Sequence, residues 1–317
     1  MNNTTMKSVY VSRSWQNIEF GLFLFGQLVS IPCYLFNIYH LLASRVSRTA
    51  LHNHVIIVML IFNFTHLTIY VSMTMNYLRL GYISPLTPGF CLTQQYVDYG
   101  IWYGAIFLML WTSIERHILI FHSTLVATKR RRILFHYLPL AAFTLYAPIL
   151  YFYFVFIYPC KPVYNDSSEL CGGLCYRRTV SAWYIWYESL VNYTIPILLI
   201  VVLGFALILR VIIQKHGLQR RTDWRRYRKM ILQFLFVSIV YLLCDLPYIA
   251  IIIVRWSGIP TFGSNVLSPY ISHLTYVPAI ILPYATLITM SELKQKFYVL
   301  IVCATNQRRI TTATVKN

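Results

Sequence analysis

The chain has 317 residues, 58% of them hydrophobic, 16% aromatic and only 11% charged, with a net charge of +18. An ordinary soluble domain is nearer half apolar and a quarter charged, so that class is excluded. A bilayer core about 30 Å thick takes roughly 20 apolar residues per helix, and the composition therefore predicts an all-α bundle of membrane-spanning helices.

In chain order, Met1–Asn17 is polar and lacks an apolar core, so no cleavable signal peptide is expected. The tail 1–18 is then extracellular, and the first helix acts as its own insertion signal. Seven apolar runs follow, at about 19–42, 54–78, 96–121, 133–158, 183–213, 229–254 and 265–290, which makes 19–290 the transmembrane domain. The residues 304–317 form a short cytoplasmic tail. There is no internal repeat and no low-complexity tract.

The charges orient these runs. Arg45 and Arg48 lie in the first connection, Lys129–Arg132 in the second, and eight basic residues in the long fifth-to-sixth connection "RVIIQKHGLQRRTDWRRYRK". Lys294, Lys296, Arg308, Arg309 and Lys316 follow the last run. Positive loops favour the cytoplasm, so the N-terminus is expected outside. The net charge is thus a topology signal and a means of contacting anionic lipid, not a nucleic-acid footprint.

Cys91, Cys160, Cys171 and Cys175 all fall in outer loops, where oxidation is permitted, and four cysteines allow three pairings. Cys33 and Cys244 lie within runs, and Cys303 lies just inside. Outer sequons at Asn2, Asn3 and Asn165 are candidate glycosylation sites. Those at Asn63 and Asn192 lie in helices and are discounted.

The third run ends in "WTSIERHILIF", Trp111–Phe121, with Glu115, Arg116 and His117 side by side. Arg116 is 25 residues after Cys91, or roughly 37 Å of helix, so the triplet sits at the cytoplasmic boundary. There Arg can extend its head group to water, and Glu115 can offset its charge while the bundle is closed. A plain interface anchor is the bland alternative.

That spacing, on the third of seven helices, resembles the rhodopsin-like (class A) G-protein-coupled receptors, whose acid-Arg-aromatic triplet closes helix three. Further positions match the family along nearly the whole chain. Asn53 and Asn63 stand ten apart on helix two, and "YTIP" puts Pro196 at the helix-five proline. "YLLCDLP", Tyr241–Pro247, and "LPYAT", Leu282–Thr286, match the helix-six and helix-seven motifs, with Pro247 and Pro283 at the kinks. "SELKQKFYVLIVC", 291–303, looks like the amphipathic eighth helix, with Leu293, Phe297, Leu300 and Ile301 on one face and Cys303 at a palmitoylated position. Cys175 resembles the second-loop cysteine that bridges to Cys91, with Cys160–Cys171 as the second pair; Cys171 is the rival partner.

The chain also departs from the family. Asn63 replaces the sodium-site Asp, Asp245 the helix-six Trp, and Leu282 and Thr286 the helix-seven Asn and Tyr. His117 replaces the triplet's Tyr, and Tyr227 replaces an acid that in some members locks the helix-three Arg, which predicts appreciable basal activity. The helix-four run lacks the usual Trp. No Lys lies between Arg255 and Lys294, so a retinal Schiff base is excluded.

A charged side chain inside a span is costly and marks function. The resemblance puts Asp98 at the counter-ion position for a cationic ligand, braced by Tyr276, and Glu188 at a ligand-facing position on helix five. Trp102 and Tyr248 are candidate aromatic walls. Neutralisation of the acids by Arg177, Arg178 or Arg255 is the alternative. Asp245 is a candidate for binding a ligand, a cation or a proton, with His66 as a possible partner, whereas His52 and His54 read as loop or interface residues.

The resemblance implies a receptor that binds an extracellular small molecule or peptide, needs no cofactor or metal, and activates a heterotrimeric G protein through Arg116. A seven-helix transporter or channel would show repeats and interrupted helix pairs. An enzyme would show a catalytic motif, and none is found. A receptor fold without G-protein coupling is the remaining alternative.

Overall fold

The computed structural model describes residues 13–217, 221–259, 261–263, 270–290 and 292–299, with side chains at 123, 211–212, 214–234 and 256 excepted. Asn2, Asn3, Leu300, Ile301 and Cys303 lie outside these residues, as do the Arg220–Lys229 and Tyr227 side chains.

Six helices are long and apolar enough to cross a bilayer: α1 (Arg13–Ala43), α2 (Leu51–Leu80), α3 (Pro88–Phe121), α4 (Lys129–Ile157), α5 (Ala182–Arg210) and α6 (Leu235–Arg255). A seventh, α7 (Ser272–Thr289), is followed by α8 (Glu292–Val299). Local chemistry sets the boundaries. Thr87 caps α3 by accepting from the Phe90 amide, with Pro88 in the first turn where its missing N–H costs nothing. Gly81 ends α2 in the left-handed conformation, φ 83°, which a Cβ would disfavour.

The helices form a ring, with α1 against α2 and α7, and α6 against α5 and α7. Inside it α3 packs against α2, α4 and α5. It is the axis: 61% of its apolar window is buried, against 11% for the lipid-facing α4. Close approach depends on Gly104, where an added Cβ would stand 2.6 Å from the Phe62 ring on α2.

The fifth-to-sixth connection differs from expectation. The helix containing α5 runs on to Gly217, and the helix containing α6 begins at Arg221. The basic stretch is thus mostly helix, because Arg, Lys and Gln are good helix formers and it holds no proline. α1 likewise starts at Arg13, inside the segment expected to be tail.

Proline effects are visible at two of the three expected kinks. Pro196 follows a π-helical turn, Leu190–Thr194. Pro283 has no N–H to offer Ala279, and the Tyr34 hydroxyl on α1 donates to the freed carbonyl at 2.5 Å instead. Pro247 lies within the helix Arg221–Trp256.

The disulfide pairing corrects the expectation. Cys91 bonds Cys171, and Cys160 bonds Cys175. The reason lies in how the second outer loop docks on α3. Gln94 donates to the Glu169 carbonyl at 2.8 Å, and Gln95 donates to the Leu170 and Gly173 carbonyls. These bonds seat 169–173 on the start of α3. Four residues on, the loop has turned towards the end of α4, where Cys160 waits. Asn165 is exposed on this loop.

At the inner surface, α8 is tied down by Ser47, whose hydroxyl donates to Glu292 at 2.7 Å. Leu293 is buried and Phe297 packs on Phe36, as an amphipathic face requires.

Candidate functional site

Asp98 lies on a π-helical turn of α3, Val97–Ile101, which packs against a second such turn on α2, His66–Tyr70. The extra residue in each turn re-aims side chains relative to a regular helix. Tyr70 and Asp98, one on each turn, are near enough to interact electrostatically. Tyr70 and Tyr276 hydroxyls are 2.9 Å apart. Tyr276 makes no hydrogen bond to Asp98 among the described residues; its hydroxyl meets that of Tyr70. Sequence reasoning missed Tyr70 because a regular helix gives no hint of the paired π-turns.

Below Asp98 lies an aromatic layer. Tyr193 packs against both Trp102 and Tyr248, at ring distances of 5.3 Å and 5.2 Å. The Tyr193 hydroxyl donates to Asp245 Oδ1 at 2.8 Å, while buried Oδ2 has no partner among the described residues. His66 is not the partner of Asp245. It stacks on Tyr70 at 5.1 Å, where the π-turn carries it.

Glu188 is paired within the protein. It is fully buried and accepts from Tyr151 at 2.8 Å, from Tyr176, and from Arg177 Nε at 3.0 Å, with Arg177 Nη2 also 2.9 Å away. Tyr176 and Arg177 come from the second outer loop. Burial, with Glu188 beside it, pushes the Tyr176 phenol well above its ordinary range. Arg177 also lies over the Tyr99 ring at 4.8 Å. Glu188 thus anchors the loop, and the neutralisation by Arg177 that stood as the alternative to a ligand role is the arrangement present. His273 on α7 makes a second clamp, 3.3 Å from Glu19 and 3.0 Å from Glu169.

At the inner end the triplet divides. Glu115 makes no ion pair with Arg116, although its charge acts on the guanidinium through space; its Oε1 is 2.5 Å from His136 Nδ1 on α4. Arg116 is 2% exposed, and its Nε and Nη1 have no partner among the described residues. The His117 ring nitrogen Nε2 lies 2.9 Å from the Leu203 carbonyl of α5.

An apolar seven-helix ring with an enclosed acid near one face and a buried arginine near the other defines a transmembrane receptor bundle. Residues 35–285 match the family described as 7 transmembrane receptor (rhodopsin family). The chain belongs to that family: it is a G-protein-coupled receptor and a multi-pass membrane protein. No curated protein matches it significantly.

Proposed function

We propose that this receptor lies in the plasma membrane with its N-terminus outside, binds a cationic ligand and activates a heterotrimeric G protein. The ligand class is an amine or a basic peptide. One observation carries that reading: among the described residues no Lys, Arg or His lies within ion-pair distance of Asp98. The other enclosed outer acids, Glu19, Glu169 and Glu188, all have such a partner. A half-buried carboxylate with no ion-pair partner among the described residues favours an incoming cation, and Trp102 and Tyr248 offer ring faces to an ammonium group.

Ligand binding shifts the bundle towards a packing in which α6 swings outward about Pro247. Arg116 then meets the G protein. Lys129–Arg132, all exposed, contact anionic lipid and the transducer. Asn165 carries an N-glycan and Cys303 a palmitoyl chain.

A G-protein activation screen against amine and basic-peptide libraries tests this, with Arg116→Ala as the silent control. Asp98→Asn is expected to lower agonist potency at least roughly thirtyfold, the equivalent of about 2 kcal/mol for a buried charge pair. Undiminished potency in that variant removes Asp98 from the ligand role.

A further inference from the structure

Two acids inside the helix ring have no ion-pair partner among the described residues: Asp98 on α3 and Asp245 on α6. The other enclosed acids, Glu19, Glu115, Glu169 and Glu188, each face a His or an Arg. Asp245 is 1% exposed; its Oδ1 accepts from Tyr193, and its buried Oδ2 accepts from nothing described. No described cation lies close enough to act on it. At Asp98, Arg177 acts only from a distance, because its guanidinium is held by Glu188, while Glu169 adds negative charge nearby.

The two acids belong to one site on two levels. α3 runs inwards from the second outer loop and α6 runs outwards, so Asp98 lies a turn outside Trp102, and Tyr248 a turn outside Asp245. At the outer level, Asp98 and Tyr248 are near enough to interact electrostatically. At the inner level, Tyr193 packs on Trp102 at 5.3 Å and reaches Asp245 with its hydroxyl at 2.8 Å. Tyr193 also packs on Tyr248 at 5.2 Å, which joins the levels. Asp98, Trp102 and Tyr248 each retain accessible surface, so packing does not fill the space around them. Four residues of α3 separate the levels, a depth of about 6 Å, and the step across the bundle adds to it.

We propose that the ligand carries two cationic groups on one aliphatic chain, with one ammonium at Asp98 and the other at Asp245 Oδ2. This deepens the cationic-ligand reading above and rests on it. A ligand with one charge, seated at Asp98, leaves the deeper carboxylate buried and unmatched, and an unmatched buried charge is costly. A second ammonium removes that cost. The linker crosses the rings of Trp102, Tyr193 and Tyr248, which suit methylene groups along its length and ammonium groups at its ends. An extended chain advances about 1.2 Å per bond, so about four to seven methylenes bridge the two acids.

The probes are linear diaminoalkanes of three to ten carbons, with the alkylamine and the amino alcohol of each length as controls. All amino groups are charged near neutral pH. Binding to the purified full-length receptor is measured directly, without a G protein. Diamines are expected to bind best at about four to seven carbons, at least roughly tenfold tighter than the matched alkylamine and amino alcohol. Asp245→Asn, which keeps the shape and the acceptor for Tyr193, brings the diamine down to the alkylamine level and leaves the alkylamine unchanged. Asp98→Asn weakens both. Alkylamines that bind as tightly as diamines in the wild type, with Asp245→Asn altering neither, overturn the second cationic subsite and leave the single-cation reading standing. An amino alcohol equal to the diamine also overturns it, since Asp245 then accepts a hydrogen bond and not a charge. Binding of no member at any length overturns it as well, and the basic-peptide arm of the activation screen then judges the broader reading. The wild-type comparison needs no variant, so a misfolded Asp245→Asn does not remove the test.

Discussion

At the outer end of the bundle, Glu188 is met by Arg177, Tyr151 and Tyr176, and His273 stands between Glu19 and Glu169. At the inner end, Glu115 turns aside to His136, and Arg116 is left buried with two nitrogens unpartnered among the described residues. Removing an ion from water costs several kcal/mol, and only a well-placed partner offsets it. The outer pairs meet that condition with residues from a loop, which fixes the loop over the helices. The inner arginine does not meet it, so its present packing is held by the rest of the bundle and is easily shifted. Matched charge builds the outer scaffold; unmatched charge marks where the molecule is poised to change. Asp98 is the exception that fits the rule, an unmatched acid within the matched outer end.

The strongest way to break this contrast is Arg177→Ala. It strands a fully buried Glu188, and a loss of roughly 3–5 kcal/mol is expected. The thermal midpoint of purified receptor reads it, and Glu188→Gln in the same chain restores most of the loss. A midpoint equal to wild type would mean that the loop is held by its disulfides alone. Glu169→Gln weakens one arm of the His273 clamp, with an expected cost of about 1.5–3 kcal/mol for a charged hydrogen bond. Faster protease cleavage within 165–173 is the readout. Glu115→Gln, the same change at the inner end, leaves the thermal midpoint nearly unmoved. Equal losses at the two ends would dissolve the distinction between scaffold and switch.

What the sequence disclosed follows the range of the interactions involved. The spans were legible because lipid demands long apolar runs, and the position of Arg116 because helix rise converts a count into a depth. For Glu188 the sequence left two readings, a ligand contact or neutralisation by Arg177, and could not choose because Arg177 and Tyr176 reach it from a loop whose path no periodicity records. The disulfides were mispaired for the same reason: four residues separate Cys171 from Cys175, and only the docking of Gln94 and Gln95 decides between them. His54 looked like an interface residue because its partner, His136, is 82 positions away. The paired π-turns around His66 and Asp98 leave no mark in the pattern of apolar residues, so Tyr70 was missed and His66 was assigned to the wrong acid.

Between the two ends lies the joint that any inner movement must respect. Pro283 leaves the Ala279 carbonyl without its helical donor, and Tyr34 supplies one from α1. Ser30 and Asn37 add donors to the Ile280 and Pro283 carbonyls on the same face, so α1 is stitched to α7 around the proline. Tyr34→Phe removes one stitch without changing shape, and a loss of about 1 kcal/mol is expected for the orphaned carbonyl. A double-mutant cycle shows whether the proline is the cause. In Pro283→Ala the restored amide claims the Ala279 carbonyl, so Tyr34→Phe then costs almost nothing. Equal costs in both backgrounds would mean that Tyr34 acts by packing against Phe64, its ring neighbour at 5.8 Å, and not by repairing the helix. The stitch between α1 and α7 would then be independent of the proline.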